Sequence, residues 1–180
     1  MSVQVKICGI NHPDAAAAAL KGGARYVGLV FFERSPRHVA PPLAAELARM
    51  IPTGVRTVGL FVDPTNEYLE HVVSQVPLDL IQLHGDESPA RVAEIKAAFS
   101  MPVMKAIKVS SVEDLAAADA YAEVADRLLF DAKPPAKVSA LPGGNGIPFD
   151  WTILTGRTWS KPWMLSGGLT IANVAEAVSI

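Results

Sequence analysis

Only one cysteine, Cys8, occurs in the 180 residues, so an internal disulfide is excluded and the fold must rest on its core. A lone thiol suits a reducing cytoplasm and leaves a free sulfur to be explained. Aromatic residues make up just 7%, and the apolar half of the chain is Ala, Val, Leu and Ile, the mixture of alternating helices and buried parallel strands. There is no cluster of Lys and Arg, and the net charge is −2, which argues against nucleic-acid binding. No apolar run approaches the roughly 20 residues that span a bilayer. The N-terminal MSVQVKICG has no basic segment followed by an apolar stretch, so no secretion signal is expected and the cytoplasm is the expected location.

Short β-branched runs alternate with Ala-rich helical patterns along the chain. Strands are expected near Val3–Cys8, Tyr26–Phe31, Arg56–Val62, Leu80–His84, Val103–Val109, Arg127–Asp131 and Trp163–Ser166. Helices are expected near Pro13–Lys21, Pro42–Met50, Thr65–Val73, Pro89–Phe99, Val112–Val124, Asp150–Leu154 and Ile171–Val178. Asp63-Pro64 and Ser88-Pro89 each place a capping side chain before a first-turn proline. Such alternation implies parallel strands with right-handed crossovers, and its even spacing favours a TIM-type (β/α) barrel over separate domains. No linker divides residues 1–180, which read as one barrel domain; the one irregular stretch is Ala132–Pro148. Seven strands are counted where a closed barrel has eight, so the domain is expected to be incomplete at its C-terminus.

In a parallel barrel, function gathers at the C-terminal ends of the strands. There the sequence places Cys8-Gly9, then Arg34, Arg37 and His38, then Asp63, His84-Gly85, Lys105 and Lys108, Asp131, and Ser166-Gly167-Gly168. A polar or reactive side chain at the same rim, strand after strand, points to an enzyme. Gly143-Gly144-Asn145-Gly146 and Ser166-Gly167-Gly168 would let backbone N–H groups approach an anion near the last units, where such barrels bind phosphate.

Several segments carry a specific resemblance. They are KICGI at Lys6–Ile10, GLVFFERSPRHVAP at Gly28–Pro41, VGLFVD at Val58–Asp63, QLHGDE at Gln82–Glu87, LLFDAK at Leu128–Lys133, GGNGIPFDW at Gly143–Trp151 and LSGGLTIANVAEA at Leu165–Ala177. In this order they resemble the phosphoribosylanthranilate isomerases, which carry out an Amadori rearrangement in tryptophan biosynthesis. The resemblance implies Cys8 as general base and Asp131 as general acid. It implies Arg37 as partner of the anthranilate carboxylate, and Gly144, Gly146, Gly167 and Gly168 as part of a phosphate site. Ser166 and His84 are expected to join in substrate binding. It further implies a phosphorylated small-molecule substrate, no cofactor, no metal, no nucleic-acid or membrane partner, and a monomer or homodimer. The family's D-V-S-S-G-V-E type motif on an eighth strand has no match here.

The chemistry needs a proton delivered to the ring oxygen and another removed from the sugar C2′. A cysteine base acts as thiolate, and Lys6, two residues before Cys8 on the same strand face, is placed to favour that anion. An aspartate acid must keep its proton, which burial among apolar neighbours would favour and Lys133 or Lys6 nearby would oppose. Blander roles fit other residues. Asp63 reads as a helix cap, Glu33 and Arg34 as loop charges, and Trp151, Trp159 and Trp163 as packing residues. Two other readings compete. One is a different phosphosugar barrel enzyme, typically built on carboxylate pairs or metal ligands; the other is a truncated or inactive barrel that only binds a phosphosugar.

Overall fold

A computed structural model of the chain describes residues 3–133, 146 and 149–180. The described residues form seven strands: β1 (Lys6–Cys8), β2 (Tyr26–Val30), β3 (Arg56–Phe61), β4 (Leu80–Leu83), β5 (Val103–Val109), β6 (Arg127–Ala132) and β7 (Trp163–Leu165). They pair in sequence order, all parallel, with β1 and β7 at the two ends of the sheet. Among the described residues, helices α1 (Pro13–Lys21), α2 (Pro41–Arg49), α3 (Asn66–Val73), α4 (Pro89–Phe99), α5 (Ala116–Val124) and α6 (Val174–Val178) follow the first five strands and the seventh. Successive parallel neighbours joined by helices are the (β/α) barrel plan.

The register defines two faces of the sheet. Cys8 pairs with Gly28, Gly28 with Val58, and Val58 with Leu80. Gln82, two residues after Leu80, pairs with Met104; Ala106, two further on, pairs with Leu129, and Leu129 with Met164. Side chains alternate along a strand, so Cys8, Gly28, Gln82, Leu129, Asp131 and Ser166 share one face. The small apolar cluster of Tyr26, Val58, Leu80, Met104, Ala106 and Leu129, with Met164 against it, belongs to that face. It forms an apolar floor, and the polar residues stand above it toward the C-terminal strand ends. The larger cluster fills the opposite face under the helices, with Phe31 and Phe61 stacked at 5.1 Å between ring centroids. All five residues of β2 are buried because the strand is covered on both faces.

Most expected elements appear within a residue or two, and the differences have local causes. Asp63 does not cap α3. Thr65 does, accepting from Tyr68 N–H, while Asp63 takes a positive φ of 45° and its carboxylate accepts from Asp86 N–H. Ser88 caps α4 as expected, through Arg91 N–H. The helix expected over Val112–Val124 begins as a 3-10 turn, Val112–Leu115, ahead of α5. There Asp114 turns back to accept from the N–H groups of Ser110 and Ser111 and the Ser110 hydroxyl. Asp150–Leu154 is likewise a 3-10 turn, Trp151–Leu154, capped by Asp150. Trp159 and Trp163 pack on Phe130, as packing residues do.

Asp114 gives the fold a pH-dependent anchor. Burial pushes its carboxyl up, but Lys133 at 2.6 Å and the Ser110 and Ser111 donors outweigh that, lowering it from 3.8 to about 2. A depressed carboxyl stabilises the folded state above its unfolded value and loses that contribution as pH falls through its folded value. Asp114→Asn is therefore expected to lower the melting temperature at pH 7. Melting curves at descending pH should show the gap to the parent closing between about 4 and about 2. A gap that is constant with pH contradicts the assignment.

Candidate active site

Cys8 ends β1 and is half-buried. Its sulfur lies above Gly28: a Cβ built on Gly28 would fall 2.8 Å from Cys8 Sγ and 3.0 Å from Lys6 Nζ. The thiol and the Lys6 ammonium thus share one small space, the arrangement expected from their spacing, and only a glycine leaves room for both. Gly9 follows with φ at 88°, and a Cβ there would meet Arg37 Cδ at 2.5 Å. The Arg37 side chain is therefore laid flat across Gly9, next to the cysteine, although it comes from the loop after β2.

On the other side stands Asp131 near the end of β6, buried at 6% exposure. Its Oδ2 lies 3.0 Å from His84 Nε2, and its Oδ1 accepts from Ala132 N–H. His84 Nδ1 in turn lies 2.8 Å from Gln82 Nε2. The three residues form one buried chain rising along β4 and crossing to β6. Gly167, with φ at 90°, brings backbone against this aspartate: a Cβ there would fall 3.2 Å from Asp131 Oδ1. Ser166 joins the same corner, its N–H and hydroxyl both donating to Phe130 O.

The structure decides between the opposing influences on Asp131 that the sequence leaves open. Burial does push the carboxyl up. The hydrogen bonds that the carboxylate accepts from His84 and from the Ala132 N–H outweigh it, and the net shift is downward. Lys133 is not the cause, because its ammonium is spent on Asp114. The downward direction favours the carboxylate form in the free protein.

Other expected rim residues divide. Lys108 shares the face of Asp131, its register partner, and is tied to Asp86 at 2.7 Å. Lys105 does not share that face. It points to the opposite face, 2% exposed, and pairs with Glu87 at 2.9 Å. Parity on β5 decides this, since Lys105 and Lys108 are three apart and must face opposite sides. Arg34 is an exposed loop residue, and His38 meets Val30 through backbone pairing. His84 has both ring nitrogens engaged by protein groups. Gly146 is exposed with φ at 65°, Gly168 closes the turn after β7 by accepting from the Asn173 side chain, and Gly144 lies outside the described residues.

Sequence reasoning passed over Gln82 and Glu87 as functional residues. The signal for the first was present: Leu80, Gln82 and His84 alternate onto one face of a strand otherwise apolar. Nothing local betrayed Glu87, whose burial depends on a lysine 18 residues away.

Residues 5–180 match the family model described as N-(5'phosphoribosyl)anthranilate (PRA) isomerase. An N-(5'-phosphoribosyl)anthranilate isomerase of Rhodospirillum centenum is 70% identical over 178 residues, which are 99% of this chain and 83% of the relative. One from Paramagnetospirillum magneticum is 59% identical over 180 residues, again 83% of its length. Among solved structures, phosphoribosyl anthranilate isomerase from Thermotoga maritima superposes with a TM-score of 0.83 at 34% identity, covering 99% of this chain and 83% of that one. A further phosphoribosyl anthranilate isomerase structure holds reduced 1-(o-carboxyphenylamino)-1-deoxyribulose 5-phosphate. It superposes with a TM-score of 0.80 at 32% identity, covering 99% of this chain and 82% of that one. With residues 5–180 of the chain matched by the family model, an all-parallel barrel sheet, and a cysteine and an aspartate on its polar face, this chain belongs to the N-(5'-phosphoribosyl)anthranilate isomerase family.

Proposed function

We propose that this chain converts N-(5'-phosphoribosyl)anthranilate to 1-(2-carboxyphenylamino)-1-deoxyribulose 5-phosphate, the Amadori step of tryptophan biosynthesis, with no cofactor. The observation that carries the reading is the shared face of Cys8 and the Asp131–His84 pair, above an apolar floor and at the same ends of their strands.

The acid is Asp131. It gives a proton to the furanose ring oxygen as the C1′–O bond breaks and the anilino nitrogen lone pair forms the Schiff base. Asp131 favours the carboxylate form in the free protein, so substrate binding must raise its proton affinity. The phosphate and carboxylate that the substrate brings into the same mouth act in that direction, since nearby negative charge disfavours a second anion. The base is Cys8 as thiolate, which takes the C2′ proton; the electrons move toward nitrogen, and the enolamine tautomerises to the ketone. Lys6 Nζ shares with Sγ the space above Gly28. Arg37, held across Gly9, engages the anthranilate carboxylate with its planar guanidinium. The backbone of Gly144, Gly146, Gly167 and Gly168 with Ser166 holds the phosphate, and His84 serves the pocket through Asp131.

The same reading makes residues 1–180 one barrel domain, in which the seven β/α units belong to an eight-unit plan. It places the protein in the cytoplasm as a monomer or homodimer. The consecutive order of the sheet supports the first point.

The experiment is direct. Anthranilate derivatives fluoresce, so freshly made phosphoribosylanthranilate is mixed with the purified chain and its conversion followed optically. Saturable conversion to the ketose is expected; binding without conversion would sink the reading. Gly9→Ala tests Arg37 separately. A Cβ on Gly9 collides with Arg37 Cδ, and φ of 88° opposes any L side chain. Loss of a charge-assisted contact predicts a fall of roughly 10- to 100-fold in kcat/KM, mostly in KM, in a protein that still melts cooperatively. An unchanged KM separates Arg37 from substrate binding.

A further inference from the structure

Gln82 is 1% exposed and stands between Leu80 and His84 on the inner face. Its Oε1 is buried with no partner among the described residues, while its Nε2 lies 2.8 Å from His84 Nδ1. A buried amide is unfavourable unless it is used, and an apolar side chain of similar volume would fill the position without that cost. What glutamine adds here is therefore the contact at Nε2. An amide N–H only donates, so the nitrogen it meets must be bare. A neutral imidazole bare at Nδ1 carries its proton on Nε2, the nitrogen that faces Asp131 Oδ2 at 3.0 Å.

We infer that Gln82 is a positioning residue that holds His84 as the neutral Nε2–H tautomer and so aims one hydrogen-bond donor at Asp131. The inference rests on the proposed isomerase reading for its catalytic consequence, though not for its structural content. A neutral His84 gives Asp131 a hydrogen bond but has no spare proton to pass on. The carboxylate is therefore held in place, and the proton it later delivers is taken up when substrate arrives. The opposite amide orientation would present Oε1 to Nδ1, require a proton there, and make His84 an imidazolium. The two arrangements thus differ in the charge of the pair. Other charged and titratable groups on this face are Lys108 from β5, tied to Asp86, Lys6 and Cys8 from β1, and, toward the N-terminal strand ends, Tyr26, Arg56 and Arg127. Lys105 and Glu87 lie behind the sheet, paired with each other.

The test combines nitrogen NMR of protein labelled with ¹⁵N-histidine and steady-state kinetics, with His84→Gln identifying the resonances. In the parent protein at neutral pH, Nε2 is expected to be protonated and Nδ1 bare. Gln82→Met, close in volume and unable to donate, is expected to populate the other tautomer and to lower kcat about tenfold, with KM within about twofold, the loss of one positioning hydrogen bond. Gln82→Glu, whose carboxylate accepts from Nδ1–H, is expected to yield a doubly protonated ring and to shift the pH profile of kcat. Two protonated nitrogens in the parent overturn the inference. So does a lower kcat in Gln82→Met with the tautomer unchanged, which would mark a packing role only. Absence of turnover in the parent counts against the isomerase reading and leaves the tautomer measurement to stand by itself.

Discussion

Cys8→Ala and Asp131→Asn should each lower kcat by roughly 10²- to 10⁴-fold, with KM changed little, in proteins that melt near the parent temperature. The structure explains why both substitutions spare the fold. Cys8 is half-buried at the end of its strand, and truncating its sulfur only loosens the small space above Gly28. In Asp131→Asn the amide oxygen still accepts from His84 or from Ala132, so one of the two buried hydrogen bonds survives while the transferable proton does not. Each residue acts on a proton in flight rather than on the bound ground state, so the loss belongs in kcat. Normal turnover in Cys8→Ala would remove the base, and normal turnover in Asp131→Asn would remove the acid. A rise in KM alone would turn either residue into a binding contact.

The sequence was most legible where the physics is local. Strand and helix alternation, the Ser88 cap and the polar strand ends depend on neighbours a few residues apart, and these elements stand where they were expected. Parity along β1 sufficed to bring Lys6 and Cys8 together. Legibility fell where the outcome depends on distant partners. Asp63 looked like a cap because proline follows it. Its carboxylate is instead claimed by the N–H of Asp86, 23 residues later, and Thr65 takes over the capping. For Asp131 the sequence sets burial against a nearby lysine and leaves the sign open; His84, 47 residues away, tips it downward. Lys105 was counted with the rim residues as part of the fifth strand, yet its parity sends it to the helical side. In each case the residue type was right for a polar role, and the partner that fixes that role lies across the sheet.

Lys105 also leads to the largest expected loss of stability. Its ammonium is buried at 2% side-chain exposure between the sheet and the helices, within 2.9 Å of Glu87 Oε2, itself 1% exposed. It also donates to Gly85 O at 2.8 Å, and Glu87 Oε1 accepts from the N–H groups of Asp63 and Gly85. Tyr121 closes the network, its hydroxyl donating to Glu87 O and its ring lying 5.5 Å from the ammonium. This pair gathers the loops after β3 and β4. Taken as a pair it contributes little net energy, because desolvating two ions offsets their attraction. Broken by half, it leaves one charge buried without compensation. Lys105→Met is therefore expected to cost about 3–5 kcal/mol, or roughly 6–20 °C in melting temperature for a chain of this size. Lys105→Met with Glu87→Gln should recover part of that loss, since the amide oxygen can still accept from Asp63 and Gly85. Because His84 immediately precedes Gly85, the single variant should also lose kcat well below its melting point, and the double variant should regain it. Thermal unfolding of the two variants decides the matter: a single variant within about 2 °C of the parent, or a double variant less stable than the single, would show that the pair does not hold the loops.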